Sequence, residues 1–184
     1  MRIIPAFALV AVLTVIAAPA PATERDDLFD ALKNAPTEAA GRTAEHAIWE
    51  YWMAAGPTEE VRARLRDAIR AIHGYEIERA LGLLDRIVAD APDYAEGWNQ
   101  RAFAHFLGGS LDESLEDIDR TLELEPKHFG ALSGKAMVLM QQGRAQLSQN
   151  ALRDAVEIHP WLKERSLLLP APGDKPAPDD GEEI

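Results

Sequence analysis

Five histidines, His46, His73, His105, His128 and His159, are the side chains best suited to hold a metal or pass a proton, and none stands three or four residues from another. No helix can therefore present two of them on one face as a metal pair. Histidines so isolated are expected at the surface or at helix ends. The chain has no cysteine, which removes thiol nucleophiles, Cys-bound zinc, iron–sulfur clusters and disulfide scaffolds. Asp and Glu are plentiful, but a carboxylate acid–base pair needs a closed pocket that raises one pKa, and no sequence feature builds one. Gly-x-Ser-x-Gly, phosphate-loop and Gly-x-Gly-x-x-Gly patterns are missing from the sequence, so catalysis has no visible carrier and no cofactor is expected. What remains is recognition.

The charged residues fit that reading. Arg101, with Asp117 and Asp119 downstream, is expected to form an internal ion pair that orients two helices, and Lys135 invites the same assignment. Arg62, Arg64, Arg66 and Arg70 make a basic run diluted by Asp67 and neighbouring acids, as on a solvated helix face. Across 184 residues, 19 Lys and Arg against 31 Asp and Glu give a net charge of −12, which argues against nucleic acid or an anionic membrane surface as the main partner. Length and a 47% hydrophobic content allow one domain plus appendages.

Both ends differ from the middle. Residues 1–22 carry Arg2, an apolar stretch from Ile3 to Ala18, and Ala-Pro-Ala-Pro-Ala, the layout of a secretory signal with cleavage expected between Ala22 and Thr23. The apolar stretch falls short of the ~20 residues that span a bilayer. The expected mature chain has no integral membrane anchor, carries −13 once Arg2 is removed, and is periplasmic or secreted. Residues 170–184, with four prolines and a closing Asp-Asp-Gly-Glu-Glu, are expected to form a disordered acidic tail, because they cannot bury enough apolar area to offset ordering entropy.

Between the ends runs a period. Pro92, Pro126 and Pro160 are 34 residues apart; twelve residues before each stands Ala80, Ser114 or Ser148, and twenty-four before each stands Ala68, Ala102 or Ala136. Gly109 and Gly143 fall between the two halves of their units, and in the first unit Gly74 comes one place early. Paired small residues let two antiparallel helices approach to about 8–10 Å, glycine ends the first helix, and proline closes the unit. With Trp98 through Pro126 as its best copy, the repeat resembles the tetratricopeptide family.

The resemblance implies an all-α fold, an α-solenoid of antiparallel helix pairs. The expected organisation is a worn N-terminal pair over 23–60, units over 61–94, 95–128 and 129–162, and a short capping helix over 163–169. Thr37 and Thr58 read as helix N-caps. The resemblance also implies that the first helix of each unit lines a concave channel for a peptide. By position the lining would be Leu65, Ile69 and Ile72, then Asn99, Phe103 and Phe106, then Ser133, Met137 and Met140. Family members that clamp a peptide's C-terminal carboxylate place Lys, Arg and Asn in this channel; Leu65, Ile69, Gln100 and Gly134 stand there instead, which argues against that ligand class. The functional expectation is a non-catalytic adaptor or assembly factor of the cell envelope that binds a protein or peptide. The alternative is a self-associating homo-oligomer built on Trp49, Trp52 and Trp161 near the stack ends, which requires these rings to be exposed rather than buried.

Overall fold

The computed structural model describes residues 24–170. Eight α-helices follow in order: α1 (Glu24–Lys33), α2 (Glu38–Ala54), α3 (Glu59–His73), α4 (Ile77–Asp90), α5 (Ala95–Gly108), α6 (Leu111–Leu124), α7 (Phe129–Gln141) and α8 (Ala145–Ile158), then a 3₁₀ turn, Lys163–Leu167. Among the described residues there is no strand. Residues 1–23, with the expected signal and cleavage point, lie outside the described part, as does all of the acidic tail beyond Pro170.

The 34-residue period is a packing period. Helices α4, α6 and α8 begin at 77, 111 and 145 and pair with α3, α5 and α7. At the crossings the small residues are buried, and the Ser114 hydroxyl donates to the Ala102 carbonyl at 2.8 Å as the Ser148 hydroxyl does to Ala136 at 2.7 Å. In the first unit Ala80 fills the same place with no hydroxyl. Thr58 caps α3 by accepting from the Val61 amide at 3.2 Å, and Thr37 caps α2 by accepting from Ala40 at 3.2 Å. Between the helices of a pair, Gly109 and Gly143 take left-handed backbone at φ +81° and +74°. The first unit keeps this register, so it is Tyr75, at φ +57°, and not Gly74 that occupies the left-handed position.

The structure departs from expectation at α1 and α2, which do not stack on α3 as a worn unit. Phe29, Leu32, Ile48 and Trp52 share one core with Phe129, Leu132, Leu152 and Leu162, while the α3–α4 core is separate. Helix α2 runs along the row of post-proline junctions. Tyr94, His128 and Leu162, each two residues after a proline of the repeat, are all buried. At the first of these junctions the Tyr94 hydroxyl donates to the Met53 carbonyl at 3.0 Å. At the second, Trp52 stacks on His128 with centroids 3.9 Å apart and planes within 7°. At the third, Trp161 seats on Gly41, where any Cβ would collide with its ring, and its indole N–H donates to the Ala35 carbonyl at 3.2 Å. Arg25 of α1 adds a two-pronged bond to Glu125. Trp49 and Trp52 make a stripe too bulky for a small-residue crossing, and the junctions offer it room: Gly130 leaves space for the Trp49 ring.

Two further expectations change with this. The three tryptophans proposed for self-association are engaged within the chain: Trp52 is buried, and Trp49 and Trp161 are half-buried against α7 and α2. The last segment is a 3₁₀ turn rather than a capping helix. Leu162 is buried in the shared core and Leu168 packs against it, whereas Leu167 and Leu169 are exposed.

Candidate peptide-binding groove

Helices α3, α5 and α7, the first of each pair, line a concave face, and the nine residues assigned to it fall into three groups. Ile69, Phe103, Phe106 and Met137 line a hollow of about 380 Å³, together with Asn99 and Ser133, whose side chains are largely covered. Met140, with Met137 and Ser133, lines a neighbouring hollow of about 270 Å³. Leu65 and Ile72 line neither. Both are buried with Ala68 and Ala71 in the α3–α4 core, because Leu65, Ile69 and Ile72 form a large apolar stripe rotated toward α4, and burying such side chains is worth about 1.5–3 kcal/mol each. Ile69 alone of the first unit's three reaches the groove.

The apolar anchors are accessible: Phe103 is 43% exposed, Met137 38% and Met140 48%. Asn99 and Gln100 turn back toward Glu96, at 3.3 and 2.7 Å, and Ser133 donates to the Gly130 carbonyl at 3.1 Å, so these polar groups are occupied locally. Glu96 is itself buried and accepts from His128 Nε2 at 3.0 Å. His128 Nδ1 accepts from the Ala131 amide at 3.1 Å, which fixes the ring with its proton on Nε2. This network ties the α5 and α7 N-termini together beneath the groove. His128 and His159 are thus helix-end residues as expected, but buried ones.

Sequence reasoning missed Trp49 and Glu164, both of which line the groove from outside the three first helices. Neither position belongs to the repeat's own pattern. The ion pairs form as expected. Arg101 grips Asp117 through two bonds of 2.7 Å and reaches Asp85 at 3.0 Å; Lys135 pairs with Asp119 at 2.6 Å, the same relation one unit on. Arg62, Arg64, Arg66 and Arg70 all pair with nearby acids on the surface.

Stacked helix pairs with a lined concave face define the α-solenoid class of repeat protein. No protein-family model matches the chain. A TPR repeat-containing protein of Rhizobium etli is 35% identical over 144 residues, which span 78% of this chain and 70% of that protein. The chain belongs to the tetratricopeptide repeat family. Human tetratricopeptide repeat protein 7B is 34% identical over 58 residues, 32% of this chain and 7% of that much longer protein. Among solved structures, the Sgt2 TPR domain of Aspergillus fumigatus superposes with a TM-score of 0.54 at 18% identity, covering 69% of this chain and 95% of that one. The TPR2AB domain of yeast Sti1, in complex with pHSP90, gives 0.53 at 19% identity over 67% and 48%. Both share the fold.

Proposed function

We propose that the chain is a non-catalytic adaptor that holds an apolar segment of a protein partner in the groove of α3, α5 and α7. The observation that carries this is the run of accessible Phe103, Met137 and Met140 along two adjoining hollows, since soft and aromatic side chains left open on a concave face suit an adaptable apolar anchor. The pHSP90 complex of Sti1 supports a protein ligand for a fold of this kind. The proposed location is the cell envelope, reached through the segment ending at Ala22; intact mass of protein recovered from the periplasm should begin at Thr23.

Selection from a random dodecapeptide library displayed on phage, against residues 23–184, tests the groove. Enriched sequences should carry large apolar residues and lose binding to Phe103→Ala. Enrichment that is indifferent to Phe103→Ala places the binding surface elsewhere.

A further inference from the structure

Glu164 sits on the 3₁₀ turn and lines both hollows of the groove, at the wall where they also share Ser133 and Met137. Among the described residues lining the two hollows there is no Lys or Arg, and Glu164 is the one carboxylate. It is half-buried, and among the described residues it joins no ion pair, although its charge acts on the buried His159 ring. Its neighbour Arg165 is turned the other way, 3.6 Å from Glu38 and over the Trp161 ring. Nor does the turn swing freely. Buried Gln149 donates to the Leu167 carbonyl at 3.0 Å and accepts from the Leu169 amide at 2.8 Å, which holds the turn against α8.

We propose that the groove selects a segment with a Lys or Arg between two large apolar side chains, the cation meeting Glu164 while the apolar residues enter the Phe103–Phe106 and Met137–Met140 hollows. This rests on the groove reading above and names the partner's chemistry. A carboxylate in an apolar wall attracts a cation more strongly than one in open water, and repels an acidic ligand. The net charge of −12 favours approach of a basic segment.

The test uses the phage-selected peptide and two synthetic variants in which its central basic residue becomes Gln or Glu, titrated against wild type, Glu164→Gln, Glu164→Lys and Phe103→Ala, with folding checked by circular dichroism. Glu164→Gln should weaken the basic peptide about 2- to 5-fold at low salt and reduce its salt sensitivity, while leaving the Gln peptide unchanged. Glu164→Lys should reverse the preference toward the Glu peptide. Phe103→Ala should weaken all three. If Glu164→Gln affects the basic and Gln peptides equally while Phe103→Ala still weakens them, the charge reading is overturned and the groove reading stands. If Phe103→Ala changes nothing, the groove reading falls, and this inference with it.

Discussion

Tyr75 holds a left-handed backbone conformation, φ +57°, that the later units give to Gly109 and Gly143, and its side chain is 82% exposed. A Cβ in that region is strained, and almost no packing would be lost with the ring. Tyr75→Gly should therefore raise stability in urea melts by about 0.5–1 kcal/mol; an unchanged or lower midpoint would show the turn is not strained. Gly109→Ala should do the reverse. A second residue-scale effect lies at His159, which is fully buried with Nε2 3.3 Å from Glu45. Burial lowers its pKa below the ordinary 6.5, an effect that the Glu45 carboxylate opposes without overcoming. The unfolded chain then takes up the proton before the folded one does, so this contribution to stability is complete above pH 6.5 and is lost as pH falls toward the folded value. Wild type should lose stability between pH 7 and pH 5 by more than His159→Gln does; parallel profiles would sink the assignment.

Among the helices, the three units were legible in the sequence because close crossings demand small residues at fixed intervals. The hydroxyl bonds of Ser114 and Ser148 give that interval its chemistry. Replacing Ala80 or Ser148 by Leu should cost about 1–3 kcal/mol through overpacking, while Glu113→Leu, on an exposed face of α6, should cost little. Equal stability of all three variants would contradict the crossings. The α2 helix and its Thr37 cap were also legible, being local. Its docking was not: Ala44, Ile48 and Tyr51 mark an apolar stripe, but amphipathicity does not say which surface receives it, and here the surface lies beyond residue 90. The groove divides likewise. Phe103, Phe106, Met137 and Met140 follow from repeat position, whereas Leu65 and Ile72 were misplaced because the rotated stripe of α3 turns them inward, and Trp49 and Glu164 arrive from segments with no repeat register.

At the scale of the molecule, α1 and α2 alter how the stack behaves. In an ordinary solenoid each unit touches only its neighbours and stability is nearly a sum of local terms. Here the N-terminal pair shares a core with the third unit and touches each post-proline junction, so both ends of the stack are tied. Wild type should unfold in urea with coincident fluorescence and circular dichroism transitions, and Trp161→Ala, which removes the seat on Gly41, should separate them. Coincident curves for the variant would show that the tie is not needed for cooperativity. The same tie holds Trp49 against the groove and favours a preformed channel. The function assigned to that channel is tested most directly by titrating the phage-selected peptide against wild type, Phe103→Ala and a chain lacking residues 170–184, at two salt concentrations. The groove account predicts a loss of ~1–3 kcal/mol for Phe103→Ala, little change on removing the tail, and only modest salt dependence from one ion pair. Abolished binding on tail removal, with Phe103→Ala folded and binding like wild type, would contradict it.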